Sequence, residues 1–258
     1  MQVLVDNSVS SDAEVARTML ASIPGQLNPL LVLFAREQAQ SAWHRSEIEC
    51  LPTIAEKARE GLIELCIDDV HWEEFARKQG SASNKSFGGN ILERVKLIRL
   101  KSAINRHTLF QTDPIFAIRD KRQLLVFCDW LIVNADKFAG STFVDSLPKD
   151  QADAFLDSKR FKRICQSLSR KHYDDAFQVW GGERLGVPYF LTTNRNFLNA
   201  IRLDAEVGLK CEPILPSELL GKLGLSPSVA MPFEYGRFYY LNGKPCDFPL
   251  PSDSLKLR

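Results

Sequence analysis

Apolar and polar positions along the chain fall into alternating blocks that predict strands and helices in turn. Residues 3–5 (Val-Leu-Val) form a short apolar run, and residues 63–67 are apolar except for Glu64. Each segment is followed by aspartate, which is typical of a buried strand. Residues 43–61 place apolar side chains at helical spacing and predict helix, with Pro52 in the first turn of a second helix. A helix is also predicted over residues 8–21, because serine and aspartate at its start can cap it.

The middle of the chain has weaker patterns. Residues 79–90 (QGSASNKSFGGN) are rich in glycine, serine and asparagine and predict a loop. Residues 91–103 predict a basic helix, and residues 124–134 predict a buried one. Residues 159–171 form a second basic segment.

The last third of the chain has clearer boundaries between elements. A short apolar run followed by Asn242-Gly243 predicts a β-hairpin. Helices are predicted at residues 174–185, 197–202 and 216–223, and strands at residues 189–193 and 213–215.

Strands that alternate with helices in this way predict an α/β fold, with a mainly parallel central sheet flanked by helices. In such sheets, binding and catalytic sites form at the carboxyl ends of the strands. Asp6, Asp68 and Asn194 each follow a predicted strand. The pattern therefore places polar side chains where the site of an α/β protein is expected.

Composition and charge limit the kinds of partner that the chain can have. With 45% hydrophobic and 25% charged residues, the 258-residue chain can bury a substantial core without disulfides or metals. Its net charge is +1, so any contact with nucleic acid must use a local basic patch. The basic segments at residues 94–101 and 159–171 could line such a path, although charge runs of this kind are more often solvated helix faces.

Cysteine spacing and the length of the apolar stretches argue against several other classes of protein. The six cysteines form no C-x-x-C pair, and neither they nor the four histidines have the spacing of a zinc site. We therefore expect reduced and mostly buried thiols. The longest apolar stretches, at residues 30–34 and 124–133, are too short to span a bilayer, so a soluble cytoplasmic protein with no membrane partner is predicted.

Two stretches in the last third carry the most informative motif. Residues 172–177 read HYDDAF, and residues 189–197 read YFLTTNRNF. Together they resemble the signature of PIN-domain nucleases, in which an aspartate opens a helix in a D-A pattern and a later strand ends in a T-x-D-x-[DK]-F run. The strand that ends at Asp6 and the sequence EPILPSELL at residues 212–220 also resemble the outline of this family.

The resemblance covers residues 1–70 and 160–223, in separated pieces. It implies a single PIN-like domain over residues 1–258 with a Rossmann-like sheet. Within that domain, residues 72–158 would form a large, mostly helical insertion, and residues 224–258 would form a C-terminal extension with a hairpin.

The resemblance also implies a site and a reaction. Asp6, Glu47 and Asp175 would be ligands of Mg²⁺ or Mn²⁺, with Asn194 completing the catalytic site and Glu49 as the second choice for the glutamate. Carboxylate oxygens suit these ions, and a bound ion activates water and neutralises charge on a phosphodiester. The implied function is a metal-dependent endonuclease, specifically a ribonuclease that acts as a toxin, in RNA processing or in defence. Its partners would be RNA and a protein inhibitor, and its oligomeric state is not predicted.

The chain departs from the family pattern at Asn194, where the family has an aspartate, and at Asn196. An amide oxygen can bind Mg²⁺ but carries no charge, so metal affinity is expected to fall. Asp174, Glu183 and Asp204 are acids that could compensate. Two alternatives therefore stay open. One is a catalytically weakened PIN-like module that binds nucleic acid or protein, and the other is an unrelated α/β protein whose acids only cap helices and form turns.

Overall fold

The structure, a computed structural model, describes residues 1–21, 28–69, 89–104 and 121–246. The strands are β1 (Gln2–Val5), β2 (Ala16–Ala21), β3 (Leu30–Ala35), β4 (Glu64–Asp68), β5 (Ile98–Leu100), β6 (Tyr189–Leu191), β7 (Glu212–Ile214) and β8 (Phe238–Tyr239). The helices are α1 (Asn7–Asp12), α2 (Ala42–Arg59), α3 (Lys121–Asn134), α4 (Thr142–Asp145), α5 (Lys149–Leu156), α6 (Ser158–Cys165), α7 (Tyr173–Arg184), α8 (Arg195–Arg202) and α9 (Pro216–Lys222). Single 3₁₀ turns occur at Arg170–His172 and Ala205–Val207.

The chain forms two compact units, each assembled from separate stretches of sequence. The first unit consists of Met1–Asp6, Glu64–Val70 and Leu97–Ile214. The second unit consists of Asn7–Ile63, His71–Lys96 and Leu215–Arg258. The loop predicted at residues 79–90 lies almost wholly outside the described residues.

A five-stranded sheet forms the centre of the first unit. Its strand order is β5-β4-β1-β6-β7, and each neighbouring pair is parallel. This confirms the predicted α/β fold with a mainly parallel sheet flanked by helices. Since the strands are parallel, their carboxyl ends all lie at one edge of the sheet.

Aromatic side chains dominate the core of the first unit. Trp180 and Phe177 of α7 have ring centroids 5.5 Å apart, and Phe161 of α6 meets Phe177 edge to face at 5.7 Å. The range predicted as an insertion, residues 72–158, supplies β5 to the sheet and the buried Phe127 of α3 to this core. Part of that range is therefore built into the first unit.

The helix predicted over residues 8–21 is wrong beyond Asp12. α1 ends at Asp12, and Ala16–Ala21 forms β2, which pairs antiparallel with β3 from Ala16↔Ala35 to Ala21↔Leu30. The serine and aspartate capping signal acts only on the first turns, whereas pairing with β3 satisfies the backbone of the later residues. β8 pairs with the other edge of β3, which completes a three-stranded sheet in the second unit.

The basic helix predicted over residues 91–103 is also wrong. Residues 91–94 form turns, and β5 pairs parallel with β4, with Ile98 opposite Cys66. From Ile98 to Lys101 the sequence alternates apolar and basic residues, which is the period of a strand rather than of a helix. Because the alternation is short and its polar positions are basic, it also fits the solvated face of a basic helix, which is why helix was predicted.

The second unit contains one long helix where two were predicted. α2 is continuous from Ala42 to Arg59, with Pro52 in its interior. Proline removes one backbone hydrogen bond from a helix. Contacts of α2 within the unit offset this cost, because the Thr53 hydroxyl accepts hydrogen bonds from the backbone N–H of Ser228 and Val229 at 2.9 and 3.1 Å.

The turn predicted at Asn242-Gly243 is present in the second unit. Gly243 has a φ of +79°, a conformation that glycine adopts without strain. The backbone N–H of Tyr240 donates to the carbonyl of Lys244 at 2.8 Å, which closes the turn after β8.

Gly182 lies where α7 approaches the sheet, and we predict that an alanine there destabilises the fold. A Cβ at Gly182 would lie 2.6 Å from the sulfur of Cys211 and 3.5 Å from Cδ2 of Leu4. Gly182→Ala is therefore expected to lower the free energy of unfolding by about 1–3 kcal/mol. In a Cys211→Ala background the clash with sulfur is gone, and the same change should be neutral or stabilising by up to about 1 kcal/mol, because alanine favours helix. Urea unfolding of the four chains measures this coupling, and additive effects would contradict the close approach.

Candidate functional site

Asp6 lies at the carboxyl edge of the parallel sheet, directly after β1. β6 is the neighbouring strand, with Val5 opposite Leu191, so Thr192 reaches the same edge. The Thr192 hydroxyl donates to Oδ2 of Asp6 at 2.7 Å, and the backbone N–H of Asp6 donates to the carbonyl of Leu191 at 3.0 Å. Asp6 is only 3% exposed, so its carboxylate is held in a buried polar setting.

Asn194 extends this network from β6 toward α7. Its backbone N–H donates to the Thr192 hydroxyl at 3.0 Å, and its side-chain Nδ2 donates to Oδ2 of Asp175 at 3.0 Å. Its Oδ1 accepts from the backbone N–H of Phe197 at 3.2 Å and so caps the start of α8. Asp6, Thr192, Asn194 and Asp175 are thus joined by consecutive hydrogen bonds, and this set is named the edge network.

Asp175 belongs to the first turn of α7, where the helix dipole favours a negative charge. It is 5% exposed, and Asp174 beside it is also buried. Nδ1 of His172 lies 3.7 Å from Oδ2 of Asp175, which is longer than a hydrogen bond. The His172 ring packs against Phe197 with centroids 5.9 Å apart, so His172 and Asn194, the two side chains beside Asp175, both contact α8.

Glu47 lies in the second unit, on α2, and is buried. Its Oε2 accepts from the backbone N–H of Ser217 at 2.9 Å, and its Oε1 accepts from the Ser217 hydroxyl at 2.8 Å. Glu47 therefore anchors the start of α9. Its assignment as a metal ligand stays a prediction from the resemblance.

The oxygen donors of the edge network suit a hard divalent ion, but they are few. The carboxylates of Asp6 and Asp175 are ligands that Mg²⁺ and Mn²⁺ prefer. The Asn194 amide turns its nitrogen toward Asp175 and its oxygen toward α8. Among the described residues, no group of three or more His, Cys, Asp or Glu is arranged to hold a metal ion. A metal ion at the edge network therefore stays a prediction from the resemblance.

The basic segment at residues 159–171 is largely engaged in contacts within the first unit. Arg160 donates to both carboxylate oxygens of Glu183, at 2.8 and 2.7 Å. Glu183 is thus committed to Arg160 and is not available to replace the missing acid at Asn194. Further ion pairs of the segment are Lys159–Asp136, Lys162–Asp136 and Arg170–Asp129. These pairs explain the charge run without nucleic acid, and an RNA path along it stays a prediction.

The six cysteines are buried and form no disulfide, as predicted. Burial is the main cause that raises the pKa of the Cys50 thiol to about 11 and that of Cys211 to about 12. A thiol with so high a pKa is uncharged near neutral pH and is a poor nucleophile. These side chains therefore act as small apolar residues of the core.

We predict that Thr192→Val destabilises the first unit, because Thr192 is fully buried and links Asp6 to Asn194. The change removes one donor and one acceptor without changing the shape of the side chain. Each unmatched buried partner costs about 1–3 kcal/mol, so a loss of that size is expected in urea unfolding. Thr142→Val, at an exposed position, is the control and should change little. Equal stability of the two variants would contradict the network.

His172 is the member of this region that the sequence pattern did not single out, whereas Thr192 belongs to the YFLTTNRNF motif and was predicted as a residue that could position water or phosphate. Strand propensity explains Thr192 equally well, and a lone histidine is usually a surface or core residue. The spacing of His172 and Asp175, three residues apart across a helix start, was the available signal.

Comparison with known proteins found no match: no family model, no curated protein and no solved structure matches the chain. The PIN-like identity therefore rests on this chain's own residues and stays a prediction. Within the described ranges, no helix is long and apolar enough to cross a membrane.

Proposed function

We propose that the chain is a metal-dependent endonuclease of PIN type, with RNA as the preferred substrate. The observation that carries the proposal is the pair of buried carboxylates, Asp6 and Asp175, joined by hydrogen bonds at the carboxyl edge of a parallel sheet. Buried acids are costly to maintain, and sites of α/β proteins form at this edge. The choice of RNA comes from the family resemblance.

Each residue of the edge network has a role in this proposal. Asp6 and Asp175 would hold one Mg²⁺ or Mn²⁺, and their two charges match those of a single ion. Thr192 fixes the orientation of the Asp6 carboxylate, and Asn194 fixes that of Asp175. When bound, the ion would supply an activated water and would neutralise charge on the phosphodiester. Because Asn194 is neutral, a second ion is disfavoured.

The direct test is cleavage of a labelled single-stranded RNA by the full chain. We expect products in Mn²⁺ or Mg²⁺ and none in EDTA, with less product from a DNA of the same sequence. An Asp175→Asn chain purified in parallel should be inactive. Absence of metal-dependent cleavage of both RNA and DNA contradicts the proposal, and unchanged cleavage by a folded Asp175→Asn chain rules out Asp175 as a ligand.

A second candidate function is a catalytically weakened module that binds nucleic acid or protein. The observation that favours it is the hydrogen bond from Asn194 Nδ2 to Asp175. An amide donor compensates a buried carboxylate without any metal. Calorimetric titration with Mn²⁺ separates the two functions, because stoichiometric binding supports the nuclease and indifference at millimolar concentration supports the module.

Glu47 is tested by comparing Glu47→Gln with Ser217→Ala. Both changes weaken the contact between Glu47 and Ser217, so both should lower stability by about 1–2 kcal/mol. Only Glu47→Gln removes a charge that a metal would need. A loss of cleavage in Glu47→Gln but not in Ser217→Ala supports the predicted ligand role. Equal activity in the two variants limits Glu47 to anchoring α9.

A further inference from the structure

Asn194 uses both ends of its side-chain amide in hydrogen bonds. Its Oδ1 accepts from the backbone N–H of Phe197 at 3.2 Å, and its Nδ2 donates to Oδ2 of Asp175 at 3.0 Å. Turning the amide over would place its NH₂ group against the Phe197 N–H and its oxygen against the Asp175 carboxylate, so both contacts would become repulsive. The start of α8 therefore fixes which end of the amide faces Asp175.

The amide donor compensates the charge of Asp175 from within the protein. Asp175 is 5% exposed, so water at the surface solvates its carboxylate poorly. An N–H group that donates to a buried carboxylate stabilises the charged form, as a cation would. In the metal-free chain, Asn194 thus fills part of the role of a cation.

The oxygen that Asn194 holds is also the one that the edge network joins to Asp6. Thr192 donates to Oδ2 of Asp6 at 2.7 Å and accepts from the Asn194 backbone N–H at 3.0 Å, so the network runs from Oδ2 of one acid to Oδ2 of the other. A cation that binds Oδ2 of Asp175 would meet the hydrogens of the Asn194 NH₂ group, which carry partial positive charge. Because like charges repel strongly at short range, the cation and the amide exclude each other at this oxygen.

We propose that Asn194 is an internal competitor of the metal ion: its amide holds Asp175 in the metal-free chain and has to release Asp175 when a divalent cation binds. This inference rests on the proposed function, because it concerns the same ion, and it adds a control on when the site fills. Since Oδ1 of Asn194 caps α8, the release also disturbs the start of that helix. The metal-free chain should therefore stay folded, and filling the site should need more metal than an unobstructed pair of acids would.

The test compares Mn²⁺ binding to full chains by electron paramagnetic resonance. Asn194→Ser removes the amide donor and can keep the cap, because serine is a preferred N-cap residue. The matched control is Asn242→Ser, at an exposed asparagine whose Oδ1 accepts from the backbone N–H of Lys244 outside the edge network. Mn²⁺ binding should tighten about tenfold in Asn194→Ser and stay unchanged in the control.

The outcomes separate this inference from the nuclease proposal. Removing an outer partner that supports a metal ligand weakens binding, so weaker or unchanged Mn²⁺ binding in Asn194→Ser overturns the competition and leaves the nuclease proposal standing. Absence of Mn²⁺ binding in every chain contradicts the nuclease proposal and the competition with it.

Thermal unfolding gives a second readout that does not depend on activity. In EDTA, Asn194→Ser should unfold at a lower temperature than the unmodified chain, because it lacks the bond to Asp175. Saturating Mn²⁺ should close this gap, since the bond is then absent from both chains. A gap that persists at saturating Mn²⁺ overturns the competition.

A measurement on the unmodified chain covers the case in which Asn194→Ser does not fold. Hydrogens held in hydrogen bonds exchange slowly with water, so NMR should find the side-chain NH₂ group of Asn194 protected in EDTA. Saturating Mg²⁺ should speed this exchange at least about tenfold. Exchange that stays the same or becomes slower overturns the competition.

Discussion

Replacing Asp6 by asparagine is expected to abolish metal-dependent cleavage of RNA, with a loss in rate of about 100-fold or more. Asparagine has the same shape as aspartate, and its Oδ1 can still accept the Thr192 hydroxyl bond that holds Asp6. The change therefore removes the negative charge with little effect on the fold. Initial rates at saturating Mn²⁺ measure the result.

The matched control for this experiment is Asp150→Asn. Asp150 is an exposed acid near the start of α5, so its replacement changes the net charge equally but lies outside the edge network. It should retain full activity, and both variants should unfold at nearly the same temperature as the unmodified chain. Full metal-dependent cleavage by a folded Asp6→Asn chain would rule out Asp6 as a ligand.

Asn194→Asp is expected to have the second large effect, and it acts on stability first. Aspartate can keep the cap at the Phe197 N–H, but it loses the donor to Asp175 and places a second carboxylate against it. Without metal at neutral pH, we expect the free energy of unfolding to fall by about 2–3 kcal/mol. Mn²⁺ should restore this loss and should bind more tightly than to the unmodified chain.

The pH dependence of the Asn194→Asp chain follows from the sign of this repulsion. Each carboxylate disfavours ionisation of the other, so in the folded variant one pKa of the pair lies above its unfolded value. The destabilisation is therefore full above that raised pKa and shrinks as the pH falls through it and protonation relieves the repulsion. Thermal unfolding at pH 7 and pH 4.5, with EDTA or with Mn²⁺, measures both effects. Equal stability of the two chains in EDTA at pH 7 would contradict the contact between Asn194 and Asp175.

The central sheet could be predicted from sequence because its middle strands are mostly apolar. Val3–Val5 and Ile63–Ile67 can be recognised as buried strands from their own side chains, without knowing which strands pair with them. The aspartate after each segment marks the carboxyl edge of the sheet. The sequence pattern wrongly predicts helix at β2 and β5, because the identity of these strands depends on partners distant in the chain. The capping signal before β2 and the basic residues within β5 both favour helix locally. The strand pairing that decides the structure involves residues distant in the sequence and leaves no local pattern.

The candidate site was predictable only in part, for a similar reason. The aspartates could be placed because strand and helix ends are visible in the sequence. The direction of the Asn194 amide could not be predicted from the sequence, because it depends on where α7 and α8 meet β6. Likewise, the commitment of Glu183 to Arg160 requires knowledge of how α6 packs on α7.

The order of strands in the sheet has a consequence for synthesis of the chain. β1 is the central strand and is translated before the other strands of this sheet, but its neighbours are β4 and β6. Val5 can therefore pair with Leu191 only after β6 has been synthesised. Contacts between residues so far apart make folding slow, and an apolar strand without neighbours is prone to aggregate. The first unit can close only after β7 has left the ribosome. We therefore expect truncated chains that end before β6 to accumulate as chaperone-bound or insoluble material rather than as folded intermediates.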